Sequence, residues 1–356
     1  MKITIIGAGK TGRGFLARLL NGNEITFIDK NAALVRSLNE RKSFTVSFFG
    51  NAVPKMMVSG YKAYTWEDVG NIDSELILVS VGGKNLADVG NELKNRINDG
   101  QKIIVAENAS KPAKTLFDAI GKDGIHIAEA TVFCTTIENG ELDINSENYP
   151  YLQYDEYAIG GDMRINGLKA EKGFGNFLTR KLFTYNSASC IIAYLGYLKG
   201  YTVYSDAAND KEILALLDEN YKIINDCMCK EYGYDERDQD EFALLSRKKF
   251  TDRTIVDTIA RNAREPQRKI TRNERVVGPL LLERKYGYKG DILIKTVAAM
   301  LLYTPAAETE WNEILKTKGK EGVLTDLCGI EKGSELYNDI LNCVKTETDI
   351  GKGKNQ

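Results

Sequence analysis

Lys2-Ile3-Thr4-Ile5-Ile6-Gly7-Ala8-Gly9-Lys10-Thr11-Gly12-Arg13-Gly14-Phe15 opens the chain, and its reading decides the fold. Lys2 to Ile6 have the apolar character of a short strand. The glycines form a turn, and Phe15, Leu16, Leu19 and Leu20 share one face of a helix that Gly22 stops. A second strand, Glu24 to Ile28, ends in Asp29. Strand, Gly-rich turn, helix, strand and acid, in that order, make a dinucleotide-binding unit. Gly7 permits the tight turn, Gly9 lets the backbone approach a pyrophosphate, and Gly12 lets the helix pack against the strand. The helix N-terminus turns free N–H groups and a positive dipole end toward the phosphates. Asp29, 22 residues beyond Gly7, is spaced to accept hydrogen bonds from both ribose hydroxyls. A carboxylate there repels a 2′-phosphate, so the expected cofactor is NAD. Lys30 softens that preference and leaves NADP as the alternative.

The rest of the chain sets bounds on partners. Its 356 residues suffice for two domains, and 43% hydrophobic with 28% charged residues is an ordinary soluble profile. A formal net charge of −2 argues against nucleic acid as a partner. No apolar run reaches the length of a membrane span, and the N-terminus reads as a buried strand rather than a signal peptide. Six scattered cysteines without a CxxC pair suggest neither a zinc site nor a disulfide frame, and fit a reduced cytoplasmic setting. His126 is the single histidine, which excludes a metal site needing two imidazoles. It reads as a structural residue in a strand.

Strands and helices alternate through the first half, which implies a mostly parallel, doubly wound Rossmann-type sheet. Leu76 to Val81 runs into Gly82, Lys102 to Ala106 runs into Glu107-Asn108, and Ile125 to Phe133 is a third candidate strand. Ligands bind beyond the carboxyl ends of such strands, so Gly82, Glu107 and Asn108 fall on the functional rim. From Glu138 to about Gly175 the chain turns irregular, with an extra strand expected at Tyr151 to Ile159. The second half has helical apolar spacing at Ile213 to Tyr232, Leu280 to Leu282, Ile292 to Tyr303 and Leu336 to Val344, the last with Ser334 as N-cap. The polar tail from Thr348 is expected to fray. The expected architecture is an α/β nucleotide-binding domain, residues 1–180, followed by a mainly α-helical substrate domain, residues 181–356.

At that boundary, where clefts form, stands Arg180-Lys181-Leu182-Phe183-Thr184-Tyr185-Asn186-Ser187-Ala188-Ser189. With Ala193-Tyr194-Leu195-Gly196 it resembles the polyol-specific long-chain dehydrogenases. The Gly7-to-Phe15 turn, Glu107-Asn108, Arg264-Glu265-Pro266-Gln267-Arg268-Lys269-Ile270 and Gly278-Pro279-Leu280-Leu281 match in the same order, so the resemblance spans nearly the whole chain. It implies a metal-independent oxidoreductase passing hydride between a nicotinamide and a polyol, with Lys181 as general acid/base and Asn186 and Asn108 on the reacting oxygen. Hydride transfer at a carbonyl needs such a proton carrier and such polarising donors.

Two departures fall in the expected substrate pocket. The family pattern of Lys, four residues, Asn, two residues, His ends here in Ser189, which keeps a hydroxyl but not a ring. An Asp-Arg pair usual after the preceding strand is replaced by Cys134-Thr135-Thr136-Ile137. The basic run holding Arg264, Arg268 and Lys269 reads either as a solvated face or as a site for a substrate phosphate or carboxylate, with Pro266 supplying a turn. The expected partner is a small anionic sugar alcohol or keto sugar. A nucleotide-binding regulatory or redox-sensing relative is the alternative. Asp29 generates the first prediction: NAD(H) binds at least about tenfold tighter than NADP(H), roughly 1.4 kcal/mol. Equal affinities by titration calorimetry would refute it, and Asp29→Ala should narrow the gap.

Overall fold

The computed structural model describes residues 1–51, 53–109 and 111–353. Two compact units form, Met1–Phe177 and Leu178–Gln356. Leu178, Thr179 and Arg180 therefore belong to the second unit rather than the first, because Arg180 is bonded into that unit's interior.

Among the described residues, twelve strands build the first unit: β1 Lys2–Ile6, β2 Glu24–Ile28, β3 Ser43–Phe48, β4 Met56–Ser59, β5 Lys62–Tyr64, β6 Leu76–Val79, β7 Lys102–Ala106, β8 His126–Thr131, β9 Thr136–Glu138, β10 Ile144–Ser146, β11 Leu152–Asp155 and β12 Leu168–Glu171. The main sheet runs β12-β11-β8-β7-β6-β1-β2-β5. Only the β11–β8 pairing is antiparallel. Side chains of β1 alternate between two cores: Ile3 and Ile5 pack with Phe15, Leu16 and Phe27, and Ile6 packs with Ile28, Ile77 and Val79. Burial on both faces is what makes these strands continuously apolar. Strand order reverses across β1, where the chain proceeds to β2 on one side and to β6 on the other, and such switch points open a crevice.

A second sheet, β4-β3-β10-β9, escapes sequence pattern because its short strands pair across about a hundred residues. It sits under the first helix. A Cβ on Gly14 would stand 2.3 Å from the Ile144 side chain, so the close approach requires glycine. The strand expected at Tyr151 to Ile159 stops at Asp155. That carboxylate accepts the Tyr157 and Ala158 N–H groups at 3.0 and 3.3 Å and starts a short helix, Glu156–Ile159.

The second unit is helical. Lys211–Tyr232 is capped by Asp210 and Glu236–Thr251 by Asp235. Ser187–Leu198 and Asp291–Leu302 are apolar all round and form the centre, with Ile191, Ile192, Tyr194, Leu293, Val297 and Trp311 fully buried. Val277–Lys285 holds the expected Leu280 to Leu282 run. Ser334 accepts the Tyr337 N–H at 3.2 Å and caps Glu335–Gly353. The polar tail expected to fray from Thr348 is wound as helix to Gly353; residues 354–356 lie outside the described residues. No helix among the described residues is long and apolar enough to cross a membrane.

The β1 turn generates a stability prediction. A Cβ on Gly12 would lie 1.9 Å from the Gly7 carbonyl oxygen, a backbone atom that cannot step aside. Gly12→Ala should cost about 2 kcal/mol or more, roughly a 4–8 °C fall in the melting temperature of the first unit. A fall under about 1 °C would show that the turn relaxes freely.

Candidate active site

The sequence motif at the switch point becomes a concave, partly preorganised surface. Gly7 has φ of 97°, and a Cβ there would meet the Ser80 carbonyl oxygen at 2.0 Å. The Gly7 N–H donates to the Ile28 carbonyl at 2.8 Å, tying β1 to β2. Nothing stands within 4 Å of where a Gly9 Cβ would be, so the backbone is open at that point. Asp29 accepts the Ala8 N–H on Oδ2 at 2.7 Å and the Asn31 N–H on Oδ1 at 2.8 Å. Each oxygen keeps a lone pair for a ligand hydroxyl. Gly7, Gly9, Thr11, Asp29, Gly82 and Glu107 all line one cavity of about 660 Å³, in the size range of small-molecule sites. Glu107 accepts the Gly82 N–H at 2.6 Å; burial pushes its carboxyl up, while hydrogen bonds from Gly82 and Val81 oppose the shift. Asn108, on the rim just beyond, donates to the Val132 carbonyl at 3.0 Å. Open backbone at Gly9, the anchored carboxylate and the helix start fit a dinucleotide.

Arg13 is a functional residue that sequence reading missed. It is 1% exposed. Its Nη1 donates to the Ala8 carbonyl inside the Gly-rich turn, its Nε donates to the Leu142 carbonyl at 3.1 Å, and Nη2 lies 3.9 Å from Glu138. The available signal was an arginine flanked by Gly12, Gly14 and Phe15 in an otherwise apolar helical run. His126 begins β8 on an exposed position, at the end of the sheet away from the rim.

In the second unit, Lys181 ends the helix Phe174–Lys181, and Leu182–Asn186 is wound as a π-turn before Ser187–Leu198. Such turns recur at functional sites because they re-aim side chains. Lys181 is half-buried as a residue, yet its amine lies deep enough that burial, helped by the charges of Lys249 and Arg275, pushes its pKa down to about 7. Asn186 is half-buried, and its amide makes no hydrogen bond among the described residues. Ser189 faces the buried Tyr204 phenol, which burial holds well above its ordinary pKa and the serine hydroxyl partly offsets. Tyr204 Oη has no hydrogen-bond partner within bonding geometry among the described residues. Lys181, Asn186 and Ser189 thus share one continuous helical stretch, whereas Asn108 belongs to the first unit.

Part of the basic run is ion-paired. Arg268 donates to Glu265 through Nε and Nη2 at 3.0 and 2.6 Å, and Arg261 pairs with Asp257 at 3.2 Å. Pro266 does begin a turn of helix, after Glu265 at a φ of 59°. Lys269 is buried and donates to the Asn262 carbonyl at 2.7 Å. Burial pushes its pKa down to about 8, with Cys190 opposing and Arg275 and Arg268 adding to the shift. Arg264 is exposed and forms no salt bridge among the described residues.

Comparison with known proteins places each half separately. Residues 174–326 match the family model of the mannitol dehydrogenase C-terminal domain, and residues 3–155 match that of ketopantoate reductase PanE/ApbA. The chain is similar to the mannitol-1-phosphate 5-dehydrogenase of Thermoanaerobacter pseudethanolicus, 29% identical over 97% of each chain. It is 27% identical to that of Brevibacillus brevis, over 93% of this chain and 94% of the relative. Among solved structures, a substrate-free D-sorbitol dehydrogenase superposes with a TM-score of 0.79 at 11% identity, over 98% of this chain and 93% of the other. Pseudomonas fluorescens mannitol 2-dehydrogenase, in a ternary complex with NAD and D-mannitol, gives 0.68 at 12% identity, over 99% and 92%. These two likenesses establish the fold.

Proposed function

We propose that this chain, which matches the mannitol dehydrogenase C-terminal domain over residues 174–326 and is similar to mannitol-1-phosphate 5-dehydrogenases over nearly its whole length, is an NAD-dependent dehydrogenase interconverting an anionic sugar alcohol and its keto form. Bound in the cavity of the first unit, the nicotinamide dinucleotide supplies the hydride acceptor or donor. Asp29 receives its ribose hydroxyls, and the backbone from Gly7 to Gly12 faces its phosphates. Gly82 and Glu107 complete that wall.

One observation carries the catalytic reading: the Lys181 amine, with its pKa pushed down to about 7. At neutral pH both forms are populated, so the same group takes the hydroxyl proton during oxidation and returns it during reduction. Asn186, with its amide unengaged among the described residues, holds the reacting oxygen, a role the resemblance also gives Asn108. Arg264, Arg268 and Lys269 attract the anionic end, and Arg264 offers the fork that no carboxylate already holds. The names of the curated relatives support a phosphorylated polyol. Ser189, standing where the motif of the resembling family ends in histidine, argues for a pocket of different shape.

Assay against a panel of sugar phosphates and uronates with NADH and NADPH tests the reading. Lys181→Ala should lower turnover about a hundredfold or more with cofactor affinity little changed; turnover within a few-fold of wild type removes the assigned role. The pH profile has a definite sign. Oxidation needs the free amine, so its rate rises as pH climbs through about 7. Reduction needs the ammonium, so its rate falls over the same range. Profiles of the opposite sense would exclude Lys181 as the proton carrier. Ser189 generates a substrate prediction. Losing a good polar contact costs about 1–3 kcal/mol, so kcat/KM for fructose 6-phosphate should lie below about 10⁴ M⁻¹s⁻¹. A higher value would mean that serine is tolerated without a change of substrate.

A further inference from the structure

Lys181 is flanked in sequence by two polar side chains that have left the surface. Arg180 is 3% exposed and Thr184 is 1% exposed. Both reach the same residue, Gln239, which is fully buried on the helix Glu236–Thr251. Gln239 Oε1 accepts from Arg180 Nε at 2.6 Å, and Gln239 Nε2 donates to Thr184 Oγ1 at 3.1 Å. The same amide nitrogen donates to Asn225 Oδ1 at 2.9 Å, and Asn225 Nδ2 donates to Asp240 Oδ1 at 2.8 Å. One glutamine therefore bridges the position before Lys181 and a position inside the π-turn after it.

Apolar and charged contacts from the same helix reinforce the bridge. The Arg180 guanidinium lies 4.2 Å from the centre of the Phe242 ring and 4.4 Å from that of Tyr234. Tyr185, also in the π-turn, packs its ring against Phe242 at 4.9 Å. Arg180 Nη1 pairs with Asp238 at 2.7 Å, and Nη2 donates to the Asp238 carbonyl at 2.8 Å. Gln239, Phe242, Ser246 and Lys249 follow helical spacing along one face, and Lys249, at its far end, is one of the two cations acting on Lys181, Arg275 being the other.

We propose that Gln239 is a positioning residue: by tying Arg180 to Thr184 it holds the π-turn wound and keeps the Lys181 amine withdrawn among protein atoms. A π-turn carries a surplus residue that an ordinary helix would expel, so it persists only where neighbours hold it. A buried amide with three bonds to three different elements is such a hold, and each bond is strong where water is excluded. Without it the segment relaxes, the amine regains water, and the cause of its altered proton affinity is removed.

The inference rests on the reading of Lys181 given above, and its test does not require turnover. In the full-length protein, the pH dependence of Lys181 acetylation by acetic anhydride is followed by mass spectrometry of the modified peptide. Wild type should reach half-maximal labelling near pH 7. Gln239→Leu should move the midpoint up by at least about one pH unit, a tenfold change in the amine's acid dissociation constant. Thr184→Val breaks only the π-turn bond, provides a milder variant should Gln239→Leu not fold, and should shift the midpoint in the same direction. An unchanged midpoint in a folded Gln239→Leu or Thr184→Val protein overturns the proposal. A shifted midpoint alongside full turnover in Lys181→Ala would sustain the positioning role and sink the catalytic reading alone.

Discussion

The contact on which the first unit depends is the one between Gly12 and the Gly7 carbonyl. No side-chain atom fits between them. Because the helix begins that close to the strand it left, its first N–H groups emerge at the crevice rather than over the sheet. From that placement follow the open backbone at Gly9, the reach of Ala8 to Asp29, and the cavity that Gly82 and Glu107 close from the next two strands. The glycines are thus a packing requirement before they are a binding motif.

The second unit solves a different problem, which is to keep an amine poorly solvated and its proton affinity low. Desolvation and like charge act together on Lys181, and the same pair of causes acts on Lys269. Both depressed lysines feel Arg275, which is itself held at 2.9 Å by Glu274. The carboxylates in this region attach to arginines: Glu265 to Arg268, Glu274 to Arg275, Asp238 to Arg180. Arginine stays charged whatever its surroundings, so pairing it fixes the field in which the lysines titrate.

What was legible in the sequence had a short range. Gly7, Gly9, Gly12 and Asp29 carry their meaning in spacing alone, and the helices of the second half announce themselves by apolar period and by caps such as Ser334. Lys181 was legible only through the family motif, since nothing local distinguishes it among 48 lysines and arginines. One of the charges acting on it, that of Lys249, comes from Glu236–Thr251, a helix more than fifty residues away, and the π-winding of Leu182–Asn186 leaves no trace in composition. The β3–β10 pairing and the bond from Arg13 to Leu142 are invisible for the same reason. The strand expected from Tyr151 to Ile159 ran past Asp155 because a capping carboxylate looks like any other strand residue until the backbone turns.

Arg13 gives the nucleotide-binding motif an address elsewhere in the chain. Its guanidinium spans from the Ala8 carbonyl to the Leu142 carbonyl, in the loop that joins β9 to β10. Transplanting residues 2–29 into another scaffold would carry every glycine and the acid, and would leave behind the acceptor that steadies them. The module is therefore not portable as a linear segment: its heritable unit includes the small sheet, and drift in the β9–β10 loop is constrained by a site it never touches.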